Sequence, residues 1–193
     1  MEAWNNLPPY DWGTQAPPDV LGDRERLKEP VTDKQGNIYD GEVRKGTMVR
    51  EGRGKLIKKD GAIYEGWFRN NKFHGKGRVV SAQGDLYEGE LRDGKETGYG
   101  CFIWMDGSKY VGMMKDGLRN GHGVYEWPDG ERYEGEFVNS KRDGKGIFYY
   151  KNGDRFEGMW KDHVKDGVGV YIYAANGKEE ILVYEAGKLV KQQ

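Results

Sequence analysis

The 193-residue chain carries 31 glycines against 6 prolines, and its apolar quota is aromatic, with 13 Tyr, 6 Trp and 6 Phe; such a composition suits neither a helical bundle nor collagen. Lys and Arg number 31 against 32 Asp and Glu, a net charge of −1 that leaves no basic footprint for nucleic acid, and no apolar run approaches the length of a membrane-spanning helix. The one cysteine, Cys101, excludes an internal disulfide, and the N-terminus lacks the basic and apolar regions of a secretory signal, so a cytoplasmic setting is expected.

Residues 1–33 read as an N-terminal arm. Pro8-Pro9 and Pro17-Pro18 punctuate it, and acidic residues outnumber basic ones, a composition typical of disorder. Trp4, Tyr10 and Trp12 are costly to leave in water, which makes them candidate anchors, either on the chain's own sheet or on a partner protein. A weak helical signal covers Asp23–Glu29.

From Tyr39 the chain repeats itself. Tyr-Glu-Gly or a close variant starts at Tyr39, Tyr64, Tyr87, Tyr110, Tyr133 and Phe156, at spacings of 25, 23, 23, 23 and 23, with a degenerate copy at Tyr184. Counting the leading aromatic as offset 0, glycine recurs at offset 2 and again at offsets 11 and 13; the first unit carries two extra residues in Lys45–Glu51. An apolar residue at offset 4 (Val43, Phe68, Leu91, Met114, Phe137, Trp160) completes a period of two, the mark of a strand with one buried face. The second half of each unit behaves likewise. Offset 15 holds Leu56, Val79, Phe102, Tyr125, Phe148 and Tyr171, and offset 17 holds Lys58, Ser81, Trp104, Trp127, Tyr150 and Tyr173. Polar connectors such as Arg92-Asp93-Gly94-Lys95 separate the halves, and Asp-Gly or Asn-Gly turns separate the units. Each unit is therefore read as a β-hairpin, six in all over residues 34–178.

Glycine weakens strands, so its regular use needs a cause. At offsets 2, 11 and 13 it shares the face of the rings, and bare backbone there would open a slot in which a ring lies flat. On the other face, acidic offset 1 (Asp40, Glu65, Glu88, Glu134, Glu157) and basic offset 5 (Arg44, Arg69, Arg92, Lys115, Lys161) suggest a solvated surface of alternating charge. Residues 179–193 read as a C-terminal cap, with Ile181, Val183 and Lys188-Leu189-Val190 pairing with the last hairpin.

No catalytic constellation emerges. None of the Gly-x-Gly pairs opens a helix or ends in Gly-Lys-Ser/Thr, as a phosphate loop requires. His74, His122 and His163 fall at offsets 10, 12 and 7, so they do not converge on a metal and read as solvated turn residues. Cys101 has no positioned histidine base. No catalytic residue, metal or cofactor is expected.

The aromatic columns suggest binding. A single-layer sheet has no second layer to cover its ring face, and offset 17 becomes aromatic only from the third unit. Tyr87, Tyr110, Tyr133 and Phe156, with Phe102, Tyr125, Phe148, Tyr171, Trp104, Trp127, Tyr150 and Tyr173, are the candidate lining of a groove for a partner helix or extended peptide. A groove filled by the chain's own arm or cap is the alternative.

Tyr-Glu-Gly-Glu-Leu, Asp-Gly-Lys, Gly-Tyr-Gly and Asp-Gly-Ser-Lys-Tyr, read from Tyr87 to Tyr110, resemble the membrane occupation and recognition nexus (MORN) repeat. The resemblance covers roughly residues 34–178; the first unit's insertion, the stretch after Ala174 and Ala186 in place of glycine depart from the pattern. It implies an all-β fold, an elongated, twisted single-layer antiparallel sheet of tandem hairpins with a concave groove. In radial-spoke-head proteins of cilia, junctophilins, plant phosphatidylinositol-phosphate kinases and parasite basal-complex scaffolds, these repeats position or tether something. The resemblance therefore implies a non-enzymatic scaffold that binds proteins in a ciliary or cytoskeletal assembly. The alternative is a peripheral membrane module for anionic phosphoinositides, which would need clustered basic residues. Open sheet ends leave a homodimer open.

Overall fold

The computed structural model describes residues 16–20 and 22–192, so Trp4, Tyr10 and Trp12 lie outside the described residues. Among the described residues there are strands and no helix, as the period of two predicts. The chain divides into two compact units with the boundary between Lys95 and Glu96. In the first, β1 (Arg24–Arg26), β2 (Val31–Thr32), β3 (Ile38–Arg44), β4 (Arg50–Ile57), β5 (Ile63–Arg69), β6 (Lys72–Val80) and β7 (Leu86–Arg92) lie in sequential order, except that β1 and β2 both pair with β3. The second runs through β8 (Lys95–Ile103), β9 (Lys109–Lys115), β10 (Leu118–Glu126), β11 (Arg132–Val138), β12 (Lys141–Tyr149), β13 (Arg155–Lys161), β14 (Val164–Ile172), β15 (Glu179–Glu185) and β16 (Lys188–Gln192), each antiparallel to the next.

Two turn types alternate. Within hairpins after the first, whose loop carries the insertion, the turns are two residues long with both φ values positive, as at Asn70-Asn71, Asp116-Gly117, Asn139-Ser140 and Asp162-His163; these are the mirror-image turns whose twist matches the strands. Between units the turn is wider. At Trp104–Ser108 the Trp104 N–H donates to the Ser108 carbonyl at 2.9 Å, and Gly107, with φ +89°, closes back on Trp104.

The core is made by rings over bare backbone. Tyr110 is fully buried and lies across the facing pair Gly112 and Gly123. A Cβ on Gly123 would sit 2.5 Å from the Tyr110 ring, and one on Gly112 would sit 2.6 Å from its hydroxyl. The hydroxyl donates to the Met113 carbonyl at 2.8 Å, beside the point where the β9–β10 ladder is interrupted. The same bond runs from Tyr39 to Glu42, Tyr64 to Trp67, Tyr87 to Glu90 and Tyr133 to Glu136. Offset-4 residues then interleave between neighbouring rings. In the second unit Tyr110, Phe137, Tyr133, Trp160, Phe156 and Tyr184 meet edge to face in succession, with centroids 5.2–5.9 Å apart. In the first, Tyr39, Phe68 and Tyr64 do the same at 5.1 and 5.0 Å. Such pairs contribute about 0.5–1.5 kcal/mol each beyond area burial.

The glycines at offset 11 are not part of that slot. Gly121 has φ +94° and sits inside a bulge, where β10 slips register between Arg119 and Gly123. A Cβ there would meet Met113 on the opposite face, not a ring. The bulge needs a left-handed residue, and glycine supplies it without steric cost.

Three further expectations are corrected. Asp23–Glu29 contains β1, an edge strand on β3, because pairing satisfies backbone groups that a short isolated helix would leave open. His74 is buried at 3% exposure, with Nε2 3.0 Å from Asp19, whose carboxylate also pairs with Arg69; a docked segment of the arm covers this histidine. On the back face the offset-1 acids pair with cationic neighbours other than offset 5, as in Lys55–Glu65 at 2.9 Å and Arg155–Glu157 at 2.7 Å. At the C-terminus β15 pairs with β14, and β16, exposed along its length and carrying Lys188 and Lys191, forms the edge.

Replacing Gly123 by Ala should lower stability by about 3 kcal/mol, since overpacking adds to lost ring pairs, whereas Gly121→Ala should cost only the left-handed penalty of about 1–2 kcal/mol. Urea denaturation of both variants checks the ranking, and equal or reversed losses would contradict the slot.

Candidate partner-binding face

Two rows of rings share the ring face of the second unit. The inner row, Tyr110, Tyr133 and Phe156, is fully buried, and Tyr87 in the first unit is equally buried at 1%. These four leading aromatics form the floor, so of the predicted lining they are not the part open to contact. The outer row is the offset-15 and offset-17 residues. Phe102, Trp104, Tyr125, Trp127, Phe148, Tyr150, Tyr171 and Tyr173 follow one another with centroids 4.6–5.5 Å apart. All but Phe148 keep partial exposure. The row exists because offsets 15 and 17 lie on one face of the second strand of each hairpin, so consecutive hairpins bring their pairs side by side. Leu56, Lys58, Val79 and Ser81 hold these positions in the first unit, so no such row forms there.

Sequence reasoning missed a third line, of cations, between the two rows. Offset 9 is Arg119, Arg142 and Lys165 in the last three repeats. The Arg119 guanidinium lies 5.1 Å from the Tyr125 centroid and 5.8 Å from Tyr110. Arg142 lies 4.5 Å from Trp160 and 5.7 Å from Trp127. Lys165 lies 4.3 Å from Phe156 and 5.4 Å from Tyr150. Cation–π attraction holds each of them. One Arg119 N–H also donates to the Ser140 carbonyl at 3.0 Å, and one from Arg142 to the His163 carbonyl at 2.9 Å. Burial lowers the pKa of all three cations, that of Lys165 being lowered further by Arg142. Burial raises the pKa of the Tyr110 and Tyr150 hydroxyls to about 12. The signal was available as a recurrent basic residue at one offset, but offset 9 is Phe73 and Glu96 in the second and third repeats, which hides the period.

A cavity of about 180 Å³ opens among Arg119, Tyr125, Trp127, Phe137, Arg142 and His163. His163 is a turn residue, as expected of it, with its pKa lowered first by burial and then by Arg142 and Arg119. Asp154, also absent from the sequence-derived set, fixes the far end of the outer row. Its carboxylate accepts from the Tyr171 hydroxyl at 2.7 Å and from the Ala174 N–H at 2.8 Å. The hydrogen bond from Tyr171, then those from Ala174 and Asn152, hold its pKa below the usual carboxylate range. Among the described residues no cluster of His, Cys, Asp and Glu could hold a metal ion, and no helix is long and apolar enough to cross a membrane.

These features define an antiparallel sheet built from tandem repeats with a ring-lined face. The MORN repeat model matches residues 64–86, 87–109, 110–132, 133–155 and 156–178, more than half of the chain, and the protein belongs to the MORN repeat family. The first hairpin, β3–β4, has the same facing glycines, Gly41 and Gly54, but lies outside the matched residues. No curated protein matches the chain. Among solved structures, the TCP domain of Drosophila melanogaster SAS-4 (dCPAP), in complex with a proline-rich motif of Ana2 (dSTIL), is similar at a TM-score of 0.42 and 13% identity, covering 97% of each chain. The G-box domain of the microcephaly protein CPAP gives 0.34 and 12%, covering 86% of this chain and 97% of that one. The TCP10 domain of Danio rerio CPAP gives 0.27 and 12%, covering 86% and 99%.

Two outcomes check the division into floor and outer row. Tyr133→Ala should destabilise by about 3–5 kcal/mol as a core deletion, while Trp127→Ala should cost less than about half of that, measured by chemical denaturation. For Asp154 the lowered pKa means its stabilising contribution is complete above the ordinary aspartate value of about 3.9 and is lost as pH falls through the folded value. The stability gap between the native chain and Asp154→Asn should therefore narrow as pH falls from about 6 to about 3. A constant gap would show that the contacts of Asp154 do not depend on its charge.

Proposed function

We propose that the protein is a non-enzymatic adaptor that holds a partner protein against the outer aromatic row of its second unit and so places that partner in a larger assembly, ciliary or cytoskeletal in setting. The observation that supports this reading is the continuous, half-exposed row from Phe102 to Tyr173, which the fold itself does not require. The first unit folds in the same way with Lys58 and Ser81 at the equivalent positions. Aromatic residues grouped on an exposed face mark protein-binding sites, where they carry most of the affinity. Sheet edges and turns are not needed for such contact, so the repeats can hold a guest without rearrangement.

The test is affinity purification of the full chain with crosslinking mass spectrometry. A Trp104→Ala/Trp127→Ala/Tyr150→Ala variant should lose the captured partner by at least about tenfold, because hot-spot rings contribute about 2 kcal/mol or more each. Met113→Glu, on the opposite face, should retain it. Retention by the triple variant would overturn the reading. Flotation of the chain with phosphoinositide vesicles at physiological salt, abolished by the same triple variant, would replace it with a membrane-binding one.

A further inference from the structure

The line of cations says what chemistry the guest brings. Arg119, Arg142 and Lys165 are half-buried, and none has a carboxylate within ion-pair distance among the described residues. The buried Nε of Arg142 finds no hydrogen-bond partner among them either. A desolvated cation with no carboxylate in ion-pair contact is costly, and ring contacts, with Glu131 acting on Arg142 from further off, offset only part of that cost. The fold does not demand a cation at offset 9. In the second repeat Phe73 occupies it and stacks on Tyr64 at 3.8 Å.

The first repeat shows the same position satisfied. Arg50 is its offset-9 residue once the two-residue insertion is allowed for, and its guanidinium lies 5.4 Å from the Tyr39 centroid. There the chain supplies an anion, the Asp33 carboxylate, 3.4 Å from Arg50. Where the chain supplies none, the cavity of about 180 Å³ between Arg119 and Arg142 has room for one.

Spacing then limits the carrier. Equivalent residues of successive repeats are two strands apart, about 9–10 Å at about 4.8 Å per strand. A polyproline II segment returns to the same side every third residue after about 9.3 Å, so carboxylates three residues apart would meet successive cations while the residues between them lie on the rings. Aromatic-lined surfaces are also the usual docking site for that conformation. An α-helix would instead need acids seven residues apart, about 10.5 Å, and drifts around its axis with each step. Membrane surfaces are read by exposed clusters of Lys and Arg, whereas these cations are sunk between two rows of rings.

On the reading of the outer row as a protein-binding face, we infer that its guest is an acidic segment in polyproline II conformation, with carboxylates every third residue seated on Arg119, Arg142 and Lys165. The carboxylates would accept charge-assisted hydrogen bonds from guanidinium N–H groups of Arg119 and Arg142 not given to the Ser140 and His163 carbonyls, and from the Lys165 ammonium.

Fluorescence anisotropy of the full chain with fluorescein-labelled (Glu-Pro-Pro)4 tests this. Binding is expected, weakening with added salt and falling at least about tenfold for (Gln-Pro-Pro)4, for a peptide of the same composition with its acids in one block, and for Arg119→Gln/Arg142→Gln. Lys165→Gln should weaken it less, and Arg119→Lys should restore part of the loss of Arg119→Gln. These two variants also serve if the double variant no longer melts cooperatively. Equal binding of the Glu and Gln peptides, both abolished by Trp127→Ala, would overturn the acidic guest and leave the protein-binding face standing. Absence of binding by every peptide would overturn the inference, with the face itself then judged by its crosslinked partner. Flotation with phosphatidylinositol bisphosphate vesicles that depends on Arg119 and Arg142, without peptide binding, would overturn it in favour of lipid.

Discussion

The approach of a ring to bare backbone governs everything else in this molecule. Tyr110 can lie flat across β9 and β10 only because Gly112 and Gly123 face each other beneath it and have no side chains to push it away. Lying flat, it gives its hydroxyl a carbonyl to reach and its edge a neighbour, Phe137, to meet. A sheet normally buries a face against a second layer. Here the buried layer is one ring thick and belongs to the sheet itself, so the array grows by repetition and not by packing against helices or another sheet.

A core so thin has a consequence for binding. The leading rings are covered by offset-4 residues from their own and neighbouring repeats and, at their margin, by the offset-9 residue, which makes the floor continuous. The rings at offsets 15 and 17 are covered less completely, and of them only Phe148 is buried. Trp104 and Trp127 therefore remain half-exposed and touch one another through Tyr125. The cations at offset 9 sit at the join between floor and outer row, where water is partly excluded and an electrostatic contact is stronger than it would be at an open surface. Rigid hairpins position all three lines, so little order has to be gained on binding.

Much of this was legible in the sequence. Tyr87, Gly89 and Leu91 fix the first strand of their unit by period two alone, and the facing glycines at offsets 2 and 13 announce the ring slot. Gly121 was not separable from Gly123 by spacing, because a two-residue bulge preserves the alternation that reveals a strand and hides the register slip within it. His74 read as solvated because nothing local places Asp19 beside it; the 55-residue separation in the chain makes that contact invisible to pattern. Residues that differ between repeats were the hardest to read. Arg119 and Arg142 look like ordinary surface cations until the structure puts them over rings.

That difficulty itself separates fold from function. Positions that carry the fold must recur, since each repeat packs on the next, and so they give a period. Offset 9 is free to vary, because a phenylalanine at Phe73, an internally paired arginine at Arg50 and uncompensated cations at Arg119 and Arg142 are all accommodated by the same backbone. Offset 17 varies in the same way, from Lys58 and Ser81 to Trp104 and Trp127. Offset 17 turns aromatic at Trp104 and offset 9 turns cationic at Arg119, so from the fourth repeat onward rings and cations without an ion pair lie side by side. Packing inside the chain leaves those rings partly exposed and those cations without a carboxylate in ion-pair contact, and the proposed guest would use both in the second unit.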